Sequence, residues 1–84
     1  NNWIMKVFSF IDTVSLFHQY VIKESTGKAE DFARKLGVSR ATLYNILSEL
    51  ESYGIEIEYS RFRETYYYKH PENVNITLTI FQES

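Results

Sequence analysis

The start of the chain places apolar and polar residues with the period of a helix. Over residues 3–24, apolar side chains recur along one face, while polar residues such as Lys6 lie on the other. A second stripe, formed by Trp3, Phe10 and Phe17, recurs every seven residues beside the first. The combined apolar arc covers about half of the helix, more than the ~100° that a one-sided surface helix needs. Two interpretations follow: a helix covered on two sides within its own domain, or a dimer seam along the second stripe.

Two shorter helices joined by a tight turn are predicted over residues 29–53. The first, over residues 29–36, carries acidic residues in its first turn, where they suit the helix dipole. Gly37 stands just past its end, in the place of a left-handed stop. Ser39 is a good N-cap for the next helix, over residues 39–52. A short helix, a turn containing Gly and a second helix form the helix-turn-helix unit.

After Gly54 the period of the pattern changes from 3.6 to 2, which predicts strands. Residues 55–69 alternate around a polar turn and predict a β-hairpin, in which the three tyrosines at 66–68 fall on alternate faces. A break at Pro71 precedes another alternating segment at 74–81. We expect this segment to be a third strand, beside the hairpin or donated to another chain.

The order of these elements predicts the α+β class and a winged helix. Three helices form the helix-turn-helix core, the hairpin forms a C-terminal wing, and the last segment adds a strand. Ala33 is small enough for the next helix to approach closely, and Val38 fills the corner between the two helices. No linker or repeat interrupts the pattern, so residues 1–84 are expected to form a single domain.

The outward side of the 39–52 helix carries small and polar residues that suit the major groove of DNA. Asn can bond adenine bidentately, and Arg can bond guanine. Each position also has a plainer interpretation: Arg40 solvated, Asn45 a chance surface residue, Tyr44 packed against the hairpin, and the wing arginines merely solubilising. We favour contact with DNA, and the predicted contact residues are Lys28, Arg34, Lys35, Ser39, Arg40, Ala41, Tyr44, Asn45, Ser48, Arg61 and Arg63.

The stretch "LGVSRATLYNILSEL" and the hairpin after it resemble a known family. With "GKAEDFARK" before it and "YGIEIEYSRFRETYYYK" after it, the segment at about 26–69 is similar to the winged helix-turn-helix domain of DeoR-type and biotin-operon-repressor-type bacterial regulators. The resemblance implies that the 39–52 helix reads double-stranded DNA. It also implies that the wing tip at 61–64 touches the backbone or an adjacent groove.

The charge of the chain argues against an extended basic surface. The formal net charge is -2 and the pI about 5.6, whereas phosphate binding usually leaves a basic footprint. Between residues 26 and 69, seven basic residues balance seven acidic ones. DNA binding must therefore depend on how the cations are arranged. With about four to six phosphate contacts, a monomer should bind weakly, with a strong salt dependence. A homodimer would double those contacts, and we expect one, with Trp3, Phe10 and Phe17 at its interface.

Several classes of function find no support in the sequence. The chain has no cysteine and only two histidines, which exclude a thiolate site and argue against a metal site or cofactor. His18, on an apolar helix face, is expected to be a satisfied core or interface histidine. No nucleophile and base stand in a catalytic pattern, so the chain is not expected to be an enzyme. No segment has the length of a membrane span, and a cytoplasmic location is expected. The start without Met fits a processed or excised piece.

The aromatic content keeps a second hypothesis open. Aromatic residues make up 17% of the chain, and Tyr and Phe favour interfaces. Winged helices also serve as protein-interaction modules, so the alternative is a protein-binding domain without a role in DNA binding.

Overall fold

The computed structural model describes residues 2–74, with side chains from Ile4 onward. Three helices are followed by a two-stranded antiparallel hairpin, which is the predicted α+β winged helix. The predicted third strand at 74–81 lies outside the described residues, apart from Val74. The elements are α1 (Asn2–Ile22), α2 (Ala29–Leu36), α3 (Arg40–Ser52), β1 (Ile57–Ser60), β2 (Thr65–Tyr68) and a short 3-10 helix (Pro71–Asn73).

The core lies where the three helices meet the inner face of the hairpin. Phe17 of α1, Phe32 of α2 and Leu43 of α3 are each fully buried. The ring of Phe32 stacks on that of Phe17 with centroids 5.1 Å apart, and it lies 5.7 Å from the ring of Tyr66 in β2. One aromatic residue of α2 thus links α1 to the hairpin.

The burial of Phe17 corrects one part of the predicted dimer seam. Its side chain has no exposed surface, because it packs against α2 inside its own chain. It is therefore unable to contact a second chain. Phe10, which precedes Phe17 by seven residues in the same stripe, is 60% exposed. The side chain of Trp3 lies outside the described part of the structure.

The helix α1 ends two residues earlier than the periodicity predicts. Glu24 adopts a left-handed conformation with φ 53°. The Glu24 N–H donates to the carbonyl of Val21, and the Ser25 N–H donates to that of Tyr20, both at 3.0 Å. This is the Schellman arrangement, which usually has glycine at the left-handed position. A glutamate there gives little sequence signal, so the helix was expected to continue to residue 24. No helix within residues 2–74 has both the length and the apolar character to cross a membrane.

The turn between α2 and α3 forms as predicted. Gly37 has φ 73°, a conformation that costs glycine least. The Val38 N–H then donates to the carbonyl of Ala33 at 2.9 Å. Ser39 caps α3 by accepting a hydrogen bond from the Thr42 N–H at 3.1 Å. The predicted cap and stop are both confirmed, and together they determine where α3 begins.

The hairpin register turns two of the three tyrosines inward. Tyr66 pairs with Tyr59 and Tyr68 with Ile57, on the face toward the core. Tyr67 pairs with Glu58 on the outer face, which confirms the alternation. The strand β1 begins two residues later than predicted, at Ile57.

Two buried threonines join the loop after α1 to the start of β2, directly after the turn of the hairpin. Thr26 and Thr65 are 0% and 1% exposed, and their hydroxyl oxygens lie 3.1 Å apart. The Tyr66 N–H donates to Thr26 Oγ1 at 2.8 Å, and the Thr26 N–H donates to Thr65 Oγ1 at 3.2 Å. We call this pair the threonine clasp. A threonine in a loop or strand is ordinarily exposed, so no pattern in the sequence predicted it.

Candidate nucleic-acid interface

The outward side of α3 presents every residue that was predicted to face DNA from this helix. Leu43 and Ile46 are buried and hold the opposite side against the core. This division follows from the helical period, because the apolar residues of α3 follow the i, i+3, i+4, i+7 spacing of one helix face: Leu43, Ile46, Leu47 and Leu50. The exposed residues on the other side are Arg40, Ala41, Tyr44, Asn45 and Ser48.

One flank of α3 faces the hairpin across a polar depression. Its lining brings Lys28, Tyr44 and Arg61 together, although they are far apart in the chain. Tyr59 and Tyr66, with ring centroids 4.9 Å apart, form its floor on the hairpin side. Burial raises the pKa of the Tyr66 hydroxyl, so this group stays neutral. The carboxylate of Glu64 also lines the depression, 4.0 Å from Lys28 Nζ. A phosphate oxygen there would meet Arg61 and hydroxyl groups, and it would compete with Glu64 for Lys28.

The other flank of α3 faces α1 across an apolar groove of about 530 Å³. Asn45 lies at this groove, on the opposite flank from Tyr44. Phe10 and Val14 of α1 line its far wall, with Leu50 of α3 at its base. The exposed face of α3 is thus bounded by a polar depression toward the wing and by an apolar groove toward α1.

Three of the predicted cations lie around the N-terminal ends of α2 and α3. Lys28 lines the depression with Arg61 and also a second, adjacent depression with Arg40. Lys28 forms a long ion pair with Glu64 at 4.0 Å, and both side chains are mostly exposed. Within residues 2–74, Arg40 and Arg61 form no ion pair. These two guanidinium groups therefore remain available for an anionic ligand.

The remaining three predicted cations are engaged within the protein. Arg63 forms an ion pair with Glu24, and its guanidinium lies 5.0 Å from the ring centre of Tyr67. Lys35 Nζ donates to the carbonyl of Ser25 at 2.9 Å. These contacts direct both side chains toward the loop after α1.

The third engaged cation, Arg34, pairs with its own helix. Its guanidinium donates to Asp31 Oδ1 at 2.6 Å. This hydrogen bond lowers the pKa of the Asp31 carboxyl. The two side chains are exposed, so the pair costs little to open. Only part of the predicted set of cations is therefore presented directly to a ligand.

The acidic residues of the hairpin are mostly compensated on its outer face. Glu58 Oε2 lies 3.5 Å from Lys69 Nζ, and Glu58 Oε1 accepts a hydrogen bond from the Tyr67 hydroxyl at 2.9 Å. That hydrogen bond raises the pKa of Tyr67. Glu58 therefore lies on the outer face of the hairpin, away from the depression beside α3.

The remaining polar and aromatic groups are His18 on α1 and the tyrosines of the hairpin. His18 shares a hydrogen bond of 2.8 Å with the hydroxyl of Tyr68, as expected of a satisfied core histidine. Within residues 2–74, no group of three or more His, Asp or Glu side chains is arranged to hold a metal ion. Tyr59 and Tyr66 line the depression but were not among the predicted contact residues, because the aromatic pattern of the hairpin favoured packing and cross-strand pairing.

A family model matches well over half of the chain. The family model described as "HTH domain" matches residues 16–69, from the second half of α1 to the end of the wing. This is a DNA-binding family and not a family of enzymes. No curated protein and no solved structure matches the chain.

Proposed function

The chain belongs to the helix-turn-helix domain family, and on that premise we propose that it binds double-stranded DNA sequence-specifically, as a small transcriptional regulator or as the DNA-binding domain of one. The observation that carries the proposal is the exposed face of α3. Its polar residues point outward. Arg40 in the first turn of α3 and Arg61 in the wing have no ion pair within residues 2–74. DeoR-type or biotin-operon-repressor-type similarity and a single domain over residues 1–84 are parts of the same proposal.

In the proposed complex, α3 enters the major groove. Arg40 and Asn45 contact base edges, because their side chains can form the bidentate hydrogen bonds that distinguish guanine and adenine. The small side chains of Ala41 and Ser48 let the helix approach the bases closely. Ser39 presents the first turn of α3, whose unpaired N–H groups favour a phosphate.

The wing supplies the backbone contacts in this proposal. Arg61, Lys28 and Tyr44 all line the polar depression and contact the phosphates of the backbone in this proposal, with Lys28 exchanging its long pair with Glu64 for a phosphate. Arg34, Lys35 and Arg63 contribute less, because each already has a partner within the protein. Few phosphate contacts per chain imply weak binding by one copy.

A second function, binding a protein through the aromatic surface, is favoured by two exposed rings. Phe62 at the wing tip is 97% exposed, and Tyr53 at the end of α3 is 77% exposed. Aromatic residues are enriched where proteins bind one another. The near-neutral charge of the domain is compatible with this alternative.

The experiment that tests the proposal is selection from a pool of random duplex DNA across a salt series. The wild type is compared with an Arg40→Ala/Asn45→Ala double variant. Arg34→Ala is the matched control, because it removes an arginine that is paired on α2. We expect the wild type and the control to enrich a common motif, and the double variant to lose it.

Two results would decide between the functions. Loss of the motif with retained weak binding identifies α3 as the element that reads the bases. Absence of any binding by the wild type at about 50 mM salt, where phosphate contacts are strongest, contradicts DNA binding by this chain. The aromatic residues of the wing would then be tested for a protein partner.

A further inference from the structure

The tip of the wing exposes an aromatic ring that the fold does not use. Residues 61–64 turn the chain between β1 and β2. Phe62 stands in this turn and is 97% exposed, the largest exposed fraction of any large apolar residue in the described part of the chain. Turns of this kind normally carry Gly, Asn, Asp or Ser, and a phenylalanine ring is normally buried. Neither turn formation nor packing therefore explains why this position carries an aromatic ring.

The backbone that presents Phe62 is fixed on both sides of the turn. The Arg63 N–H donates to Ser60 Oγ at 3.1 Å, which closes the turn across Phe62. The Arg63 guanidinium pairs with Glu24, and the threonine clasp fastens Thr65 to the same loop after α1. The ring is thus presented by a turn of fixed geometry. Little conformational freedom is lost when such a ring is buried against a partner.

The charges beside the ring indicate that the partner is a polyanion. Arg61, directly before Phe62, has no ion pair within residues 2–74. The acidic residue of the turn, Glu64, lies 4.0 Å from Lys28 Nζ, which offsets its charge. An apolar protein surface that covered the ring would have to desolvate the unpaired guanidinium. DNA instead provides a phosphate for that guanidinium.

The position of the turn relative to α3 indicates which groove of DNA the ring meets. This step rests on the proposed function, in which α3 lies in the major groove and the polar depression faces the phosphates. Arg61 and Glu64 line that depression, whereas Phe62 between them does not. The ring therefore lies beyond the row of phosphate contacts, where the minor groove opens. That groove is about 6 Å wide, so single side chains enter it more readily than a helix does.

An aromatic ring at this position can enter the stack of bases. Proteins that bind the minor groove frequently insert Phe or another apolar side chain between two base pairs, which kinks the duplex by about 20–90°. The bases then cover the apolar surface that water covers in the free protein. The unstacking costs least at TA and CA steps, because these steps deform easily. Insertion would therefore add a sequence preference that requires no hydrogen bond to a base.

We propose that Phe62 is a wedge that inserts from the minor groove into a TA or CA step beside the bases that α3 contacts, and that it kinks the duplex there. Phe62 is then a specificity-determining residue that acts through the deformability of DNA. Arg40 and Asn45, in contrast, distinguish bases through hydrogen bonds. The same ring was the basis for a protein partner as the alternative function, and the following test separates the two.

The test combines two measurements on the whole chain. The first is selection from a pool of random duplex DNA. The second is energy transfer between dyes at the two ends of a duplex of about 30 base pairs that carries the enriched motif, because a bend brings the ends closer. The variants are Phe62→Ala and the conservative Phe62→Leu, which retains an apolar wedge. Tyr53→Ala is the matched control, because it removes a ring that is 77% exposed but lies at the C-terminal end of α3.

We expect binding of the wild type, Phe62→Leu and the control to increase the energy transfer. Phe62→Ala should bind about tenfold more weakly, because the stacking contact is lost, and should leave the duplex straight. It should also lose the preference for a TA or CA step while it keeps the bases that α3 contacts. The salt slope should stay unchanged, since no charge is removed. Circular dichroism checks that each variant retains its helices.

Three results would contradict the inference, and they differ in what they leave standing. A wild type that binds its motif without bending the duplex overturns the wedge and leaves DNA binding by α3 intact. A Phe62→Ala variant that bends DNA and keeps the step preference also overturns the wedge, and the ring is then available for a protein partner. A wild type that binds no DNA overturns the proposed function, and the wedge with it.

Discussion

Replacing Thr26 by valine removes the hydroxyl at the centre of the threonine clasp while keeping the shape of the side chain. In the native protein, Thr26 Oγ1 accepts a hydrogen bond from the Tyr66 N–H at 2.8 Å and donates one to the carbonyl of Gly27, also at 2.8 Å. It also lies 3.1 Å from Thr65 Oγ1. The variant leaves the Tyr66 N–H without an acceptor in a buried region.

The expected loss of stability follows from this inventory. An unsatisfied buried N–H costs about 1–3 kcal/mol. The methyl group that replaces the hydroxyl recovers part of this, since an apolar group is buried at no polar cost. We expect Thr26→Val to lower the free energy of unfolding by about 2 kcal/mol. For a domain of this size, that loss corresponds to a fall in Tm of about 10 °C.

Urea denaturation followed by circular dichroism measures the change. The matched control is Thr13→Val, because the Thr13 hydroxyl donates only to the carbonyl of Ser9 in an exposed turn of α1. We expect that control to change stability by less than about 0.5 kcal/mol. A Thr26→Val protein as stable as the control would refute the reasoning. In a double-mutant cycle, Thr26→Val and Thr65→Val should be coupled by about 1 kcal/mol, because they share one network.

Three further changes test other parts of the structure. Ser39→Ala should lower the free energy of unfolding by about 1 kcal/mol in urea titrations, because α3 loses its N-cap. Burial raises the pKa of Tyr68 to about 12, whereas the pKa in the unfolded chain is about 10. Because the folded state favours the neutral hydroxyl, the contribution of Tyr68 to the free energy of unfolding should be fully present below about pH 10 and be lost as the pH rises toward 12. Tyr68→Phe should remove this part of the alkaline loss in pH-dependent unfolding. Arg61→Ala should reduce the salt slope of DNA binding by about one, whereas Arg63→Ala, which removes a residue paired with Glu24, should leave the slope nearly unchanged.

The parts of the fold that the sequence predicts are those governed by local patterns. Gly37 and Ser39 marked the turn before α3, because a left-handed conformation and an N-cap each restrict the residue type. The change of period after Gly54 marked the hairpin, because successive side chains of a strand point to opposite faces. The outward face of α3 followed from the helical spacing of Leu43 and Ile46, which are both buried.

The parts that escaped prediction depend on contacts between distant residues. Arg63 finds Glu24, and Thr65 finds Thr26, each 39 positions away. Arg63 has an ion pair, whereas Arg61 has none within residues 2–74. No local pattern in the sequence distinguishes these two arginines. The burial of Phe17 was likewise ambiguous, because its stripe flanks the first apolar face of α1 and either its own domain or a second chain could have covered it.

The orientation of the wing depends on α1 through three separate contacts. The threonine clasp joins the loop after α1 to β2, the hydrogen bond from His18 to Tyr68 joins α1 to the same strand, and the Arg63–Glu24 pair joins the wing tip to the end of α1. Two of these contacts hold β2 at its two ends, at Thr65 and Tyr68, so α1 fixes the angle of the wing relative to the helices. Loosening the clasp should therefore weaken the proposed contact of the wing with DNA before it affects the exposed face of α3.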